Sequence, residues 1–498
     1  MATSTNLVLS PQLIHWVAAI LLIFTYKKVK VQRGIVGLAA VAALANAVRL
    51  LYVVKTQGTL VFWASDWEPP FGIIMVMDLF SAIMVLMAAI INIAVVFYSF
   101  KTIDEAREKH FYYFLVQMMP VGVNGAFVTG DIFNLYVWFE ILLISSYILL
   151  VLGAEKGQLR ETYKYVILNV LASVFFLVGL GLLYSVAGTL NMADLAVKLP
   201  QAENQGMVTL IAVIFLVVFG SKAAVFPLYY WLPQSYTEPP AAVSALFGGL
   251  LTKVGVYCLI RTYTLMFVGD NAYTRAILLA LGIATMVLGG LGAIAQYNYK
   301  RILSYHIISQ VGYMMMGLAL GTAAAVAAAI YFMIHNIVVK SSLFLFEGVT
   351  EKITGTSELK RMGGLLHRYP LLGWGFFLGG ISLAGVPPFS GFFAKFLMLQ
   401  GAAAIPNYWA MFFTLAVGFL TLFSMMKIFI YCYWGAEQPV RADLPADFNY
   451  KPLLAPCLAL VAFSLAMGIF GQLSVGLVTE AAAQIMDPAN YIGPVLGW

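Results

Sequence analysis

Five lysines and one glutamate lie inside apolar stretches long enough to cross a bilayer. Glu140 falls in NLYVWFEILLISSYILL, Lys222 in VVFGSKAAVFPLYYW, Lys253 in LFGGLLTKVGVYCLI and Lys340 in FMIHNIVVKSSLFLF. Lys395 follows the break in LAGVPPFSGFFAKFL, and Lys427 lies in LFSMMKIFIYCYW. A charge at mid-membrane costs roughly 2.5–3.5 kcal/mol even on the lenient insertion scale. Four uncompensated lysines would cost about 10 kcal/mol or more, comparable to a folding free energy of about 5–15 kcal/mol. Charges of that cost are paired or take part in chemistry. Repeated lysines with one carboxylate read as a proton path.

Lysine suits that task, because burial favours its neutral form and lets it release a proton near neutral pH. Arginine stays charged, and the sequence places none in mid-span, which fits a titrating row. Lys253 stands near the middle of its span with Gly248–Gly249 one turn before it; the alternative is a lysine merely satisfied by a neighbouring helix. Lys222 adjoins a proline break. Glu140 is the carboxylate partner on offer, its alternative being a protonated glutamate hydrogen-bonded in the core. His335 and Lys340 share one span but lie about 140° apart around the helix, so they should not bond directly yet could follow one another along a path. Lys340 could also reach toward the cytoplasm. Lys427, near an inner helix end, should snorkel. His15 and His306, near helix ends, read as structural, as do Asp78 and Asp131 toward the outer surface.

The 498 residues are 62% hydrophobic and 10% charged, which makes this a polytopic all-α membrane protein rather than a set of soluble domains. The net charge of +6 is spread between apolar spans and gives no nucleic-acid signal. The start, MATSTNLVLSPQL, lacks a basic region, so a retained first helix is expected rather than a signal peptide. Cys258, Cys432 and Cys457 form no C-x-x-C and should be packing residues. No cofactor or metal site is expected.

At about 20 residues per span the chain divides into fourteen segments. Their approximate extents are 7–26, 33–54, 71–99, 110–130, 132–152, 162–188, 207–230, 239–264, 274–296, 301–320, 324–347, 370–403, 408–435 and 453–476. Eighteen basic residues fall in the loops after odd-numbered spans. Only Arg49, Lys55, Lys198, Arg261 and Arg275 follow even-numbered ones. Odd loops are therefore expected in the cytoplasm and both termini outside.

Spans 4–8 and 9–13 form two five-helix blocks of opposite topology. Each has a proline-interrupted fourth member, SKAAVFPLYYWLP and LAGVPPFSGFFAK. The expected organisation is 1–108 for three N-terminal helices, 109–270 and 271–437 for the inverted repeats, and 438–498 for a last helix and tail. Interrupted helices at matching places in inverted halves point to an ion site. Pro227 cannot donate to the carbonyl of Ala223, nor Pro387 and Pro388 to those of Leu383 and Ala384. Such carbonyls are tolerable at membrane depth only when buried in protein or facing trapped water.

The motifs TGDIFNLYVWFEILLISSY, VFGSKAAVFPLYYWLPQSYTEPPAAVSALFGGLLTKVGVY, YNYKRILSYHIISQVGYM, HNIVVKSSLFLFEG and LAGVPPFSGFFAKF resemble the antiporter-like subunits shared by respiratory complex I, membrane-bound hydrogenases and Mrp antiporters. The resemblance spans nearly the whole chain. GVTEKITGTSELKRMGGL, TGDIFNLY and the fourteen-helix length without a long C-terminal extension are most similar to the Mrp-type sodium/proton antiporters. The resemblance implies an ion pair of Glu140 with Lys222 whose opening tunes the lysine, a connecting Lys253, a relay of His335 and Lys340, and a terminal Lys395. Some members of the family carry histidine or glutamate in place of Lys253 or Lys395. It further implies a bacterial cytoplasmic membrane, companion subunits in a complex, and protons and sodium as the transported ions.

The runner-up reading is a proton-pumping subunit of a complex I-type quinone oxidoreductase or a membrane-bound hydrogenase. The chain itself is expected to be a transporter subunit and not an enzyme. A membrane redox enzyme with its own cofactor lacks a haem-like histidine pair or a cysteine cluster to support it. A purely structural scaffold is disfavoured by the cost of the buried charges.

Overall fold

The computed structural model describes residues 6–269, 271–438, 441 and 449–497. The N-terminus, the expected boundary at 270 and most of the loop after the thirteenth span lie outside the described residues. The described chain is nearly all helix, with one two-stranded ribbon, β1 (Leu60–Trp63) paired antiparallel with β2 (Ile74–Met77).

Eleven helices are long and apolar enough to cross a bilayer among the described residues. In chain order the helices are α1 (Ser10–Phe24), α2 (Val29–Gln57), α3 (Leu79–Thr102), α4 (Tyr112–Val128), α5 (Ile132–Val151), α6 (Lys156–Ala187) and α7 (Gln205–Ala223). Then come α8 (Ala241–Leu265), α9 (Asn271–Ala295), α10 (Tyr299–Leu320), α11 (Ala323–Thr354), α12 (Pro370–Ala384) and α13 (Ser390–Ala403). The last are α14 (Tyr408–Cys432), α15 (Lys451–Ile469), α16 (Gly471–Met486) and α17 (Ala489–Leu496). Three expected spans stand outside the eleven. The fourth, α4, has 17 residues; the tenth, α10, carries many polar residues; the twelfth is split into α12 and α13.

Several boundaries differ from the hydropathy reading. The third span starts at Leu79, because Ile74–Met77 is a strand that pairs with β1. The seventh stops at Ala223, and the fourteenth is two helices, α15 and α16. Arg261 is not a loop residue: it lies inside α8 and is 5% exposed.

Local chemistry sets the ends. Asp78, Asp131, Asn298 and Thr322 accept the backbone N–H groups of Ser81, Asn134, Arg301 and Ala325 at the starts of α3, α5, α10 and α11. Gly321 ends α10 in the left-handed region (φ 65°) and Thr322 at once caps α11, so the two helices fold into a tight antiparallel hairpin.

The core lies around α8, α10 and α11. Every residue of the apolar window of α8 is buried, and the 32-residue α11 packs against α8, α10, α12, α13, α15 and α16. The α8–α11 contact depends on glycine. A Cβ on Gly249 would come 2.4 Å from Ser341 Oγ, and one on Gly248 would come 2.8 Å from the Phe344 ring.

Both expected breaks are present. At the first, Ala224 takes a left-handed conformation (φ 61°), Val225 N–H bonds to Gly220 O, and Phe226 N–H bonds to Thr285 Oγ1 of α9. At the second, Gly385 (φ 93°) ends α12, and α13 restarts at Ser390.

Candidate functional site

The helix breaks and the α8–α11 seam place three buried lysines and the part-exposed Lys395, none within ion-pair distance of a carboxylate among the described residues. Lys222, in the last turn of α7, donates to Asn169 O and Ser173 Oγ on α6, both at 3.2 Å. Its ammonium stands 5.8 Å from the centre of the Phe139 ring on α5. Glu140 is the next residue along and attracts Lys222, but it makes no contact close enough to be an ion pair. One Glu140 oxygen is buried with no hydrogen-bond partner among the described residues. The two residues implied as an ion pair are therefore neighbours in an open arrangement.

Lys253 is fully buried in α8. Its Nζ donates to Gly248 O at 2.6 Å, across a π-helical turn at Phe247–Leu251. Single π turns inside α-helices recur at functional sites because they widen the helix and redirect carbonyls. Here a redirected carbonyl receives the ammonium, and the glycine pair that permits it also lets α11 approach. Lys340, equally buried on α11, donates to Leu303 O of α10 at 3.1 Å. It does not extend to the cytoplasm. Lys253 and Lys340 interact electrostatically across the seam.

Lys395 shows the consequence of the second break. Its Nζ donates to the carbonyl of Ala384, one of the two that Pro387 and Pro388 leave without a helical donor. The ammonium also lies 6.0 Å from the centre of the Tyr313 ring. Lys395 is part-exposed and lines a cavity of about 270 Å³ with Ala384, Gly385, Thr414 and Gly418.

His335 and Lys340 have separate partners, as their angular separation requires. His335 Nδ1 lies 2.8 Å from Ser390 Oγ at the start of α13. Ser390 Oγ lies 2.7 Å from Ser464 Oγ on α15, which in turn lies 2.8 Å from Ser382 Oγ on α12. This buried hydroxyl chain joins three helices at the second break.

Lys427 carries its ammonium to the end of a neighbouring helix, 4.7 Å from the centre of the Tyr297 ring, as a snorkelling lysine does. It donates to Ile294 O and Gln296 O at 2.6 Å each, closing the C-terminal end of α9. His15 is paired with Gln117 at 2.6 Å, a structural contact between α1 and α4. Asp78 does more than cap α3. It forms a two-pronged pair with Arg261 at 2.6 and 2.8 Å, and Tyr257 lies 3.0 Å from the same guanidinium. The three cysteines are free and buried.

One group escapes the reading of hydropathy. Glu347 is fully buried on α11, 3.9 Å from Lys300, which itself bonds Glu351 at 2.7 Å. Ser357 donates to both glutamates. Spacing could have found Glu347: it stands seven residues beyond Lys340, within about 20° on the same helix face. Glu351 and Lys300 line a polar cavity of about 480 Å³ together with Glu238, Arg107, Lys352 and Arg441, at the end of the bundle that carries the basic loops.

A neutral-acceptor lysine row at two broken helices is accompanied by a direct family match. Residues 129–421 match the family described as "NADH:quinone oxidoreductase/Mrp antiporter, TM". The chain belongs to this antiporter family. The D-type subunit of the Na(+)/H(+) antiporter of Alkalihalophilus pseudofirmus is 50% identical over 491 residues, covering 99% of both chains. The corresponding Na(+)/H(+) antiporter chain of Bacillus subtilis is 43% identical over the same length, again covering 99% of each. A chain of the Mrp complex from Dietzia sp. superposes with a TM-score of 0.92 at 30% identity, covering all of both chains. Among antiporter-family chains, therefore, this one aligns from end to end with named antiporter subunits.

Proposed function

We propose that the chain is the D-type subunit of a multisubunit sodium/proton antiporter and carries protons along its buried row. One observation bears most of the weight: Lys222, Lys253, Lys340 and Lys395 are each held by neutral oxygens rather than by carboxylates. An ammonium on neutral acceptors releases its proton without stranding a buried counter-charge, whereas a buried ion pair leaves one behind. Glu140, beside Lys222, biases that lysine as the distance between them changes. Lys253 passes charge to Lys340 across the α8–α11 seam, and His335 and Lys395 serve the second break. End-to-end similarity to chains named as sodium/proton antiporter components favours this reading over a redox-driven pump.

The same proposal includes fourteen membrane crossings, with α12 and α13 counted as one, α15 and α16 as one and the short α17 left out, and inverted blocks at 109–270 and 271–437 flanked by 1–108 and 438–498. The proline breaks in the fourth member of each block support it. The basic-residue bias supports a bacterial cytoplasmic membrane with both termini outside.

The test uses inside-out vesicles containing the full complex, with a pH gradient followed by a fluorescent dye. Added sodium should dissipate the gradient with the wild-type chain and fail to do so with Lys222→Ala at equal complex content. Retained exchange in that variant would refute the proton-carrying role. Co-purification with quinone- or ferredoxin-oxidising subunits would move the chain to a redox complex.

A further inference from the structure

His306 lies seven residues into α10, fully buried, and neither ring nitrogen has a hydrogen-bond partner among the described residues. Gln310, one turn further, is also fully buried with both amide atoms unpartnered. Asn336 on α11 is in the same condition. Leaving a buried polar group unsatisfied costs about 1–3 kcal/mol, and such groups are rare in close-packed interiors. Three of them on two packed helices fit a place built for water.

The helical geometry brings the three together. α10 and α11 run antiparallel from their shared turn, and Lys340 meets Leu303. Asn336, one turn from Lys340 toward that turn, is therefore level with His306. Leu303, His306, Gln310 and Tyr313 fall within a sector of about 80° on α10. That stripe begins where Lys340 is held and ends under Lys395. About 15 Å of helix separates its ends, too far for one proton hop.

His335 also stands in the field of Lys395 and Lys340, but its Nδ1 is engaged by Ser390 and it lies about 140° from Lys340 around α11, off the stripe of α10. The charged groups that act on His306 are Lys340 of α11, Lys395 of α13 and Lys427 of α14. Lys427 is occupied by the carbonyls of Ile294 and Gln296.

We propose that His306, with Gln310 and Asn336, encloses bound water and carries the proton between Lys340 and Lys395. This rests on the proton-carrying reading above. Neutral imidazole accepts at one nitrogen and donates at the other. The Lys340 ammonium gives a proton through water to the unprotonated ring nitrogen. The N–H on the opposite side passes its proton through water to the Lys395 amine. Lys340 ends neutral, Lys395 ends charged, and the ring returns as the other neutral tautomer. Gln310 and Asn336 orient the waters.

The test measures sodium-driven gradient dissipation in vesicles of the full complex for His306→Leu, His306→Gln and Gln310→Leu, with Lys222→Ala alongside. His306→Leu and His306→Gln should each lose at least tenfold in rate at equal complex content, since glutamine holds water but does not exchange protons between two nitrogens. Gln310→Leu should lose several-fold, with a larger slowing in deuterium oxide than wild type. Wild-type rate in His306→Gln would overturn the imidazole relay. If neither His306 variant assembles, Gln310→Leu decides, and an unchanged rate and isotope effect there would overturn the proposal. An active Lys222→Ala would instead sink the proton-carrying reading beneath it.

Discussion

Lys253 reaches back five residues to the carbonyl of Gly248, 2.6 Å away, across the single π turn of α8. The ammonium thus sits on its own helix rather than on a neighbour's carboxylate, at the seam where α8 and α11 meet. It has a resting acceptor that needs no charge and an electrostatic neighbour, Lys340, of the same sign. That arrangement suits a group that gains and loses its proton.

Replacing Lys253 by arginine separates relay from scaffold. Arginine keeps the charge but holds its proton at any physiological pH. A static role would tolerate it better than alanine, while a relay would be impaired nearly as much by either. Antiport rate against pH for wild type, Lys253→Arg and Lys253→Ala should show both variants at least tenfold slower at every pH. An arginine variant with substantial rate and an unchanged profile would rule out proton transfer through this position.

Glu140→Ala and Glu140→Gln should both abolish sodium-driven exchange while leaving complex assembly near the wild-type level. The carboxylate has an unpartnered buried oxygen and no ion pair, so its removal takes away no strong structural contact. Immunoblots of the membrane fraction and dye assays on the same vesicles check both halves. Full exchange in the glutamine variant would make Glu140 a core hydrogen-bonding group instead.

The residue types of the row were readable from sequence because lysine in an apolar span stands out by contrast. Pro227 and Pro387–Pro388 announced the two breaks for an equally local reason. The acceptors were hidden, since Leu303 O, Gly248 O and Asn169 O belong to backbone that carries no distinguishing side chain. Ser382, Ser390 and Ser464 are unremarkable in apolar helices, where serine commonly bonds its own backbone, so their convergence is a tertiary fact. Arg261 falls near the end of the span 239–264 and is counted with the loop charges, because its partner Asp78 lies 183 residues away. His306 reads as a helix-end residue until the start of α10 is fixed at Tyr299 by the Asn298 cap.

Topology can be tested with single cysteines. Thr3→Cys should react in intact cells with an impermeant maleimide, and Lys360→Cys should react only after permeabilisation. The three native cysteines are buried and contribute little background. Labelling at 360 without labelling at 3 would invert the orientation.

The Asp78–Arg261 pair should matter for stability rather than for transport chemistry. Both side chains are buried, the guanidinium bonds both carboxylate oxygens, and it lies 5.2 Å from the centre of the Tyr491 ring and 5.7 Å from that of Phe80. The pair ties the start of α3 to the end of α8, so it fixes the height of the helix that carries Lys253. Removing one partner of a buried pair costs about 3–5 kcal/mol because the other charge is stranded. Arg261→Met should therefore lower the thermal stability of the purified complex strongly. Asp78→Asn combined with Arg261→Met should recover most of the loss, since no lone charge remains. Thermal unfolding in detergent of the two single variants and the double variant measures this. Additive losses in the double variant, with no recovery, would show that the two residues act independently and that the pair does not hold α8 in place.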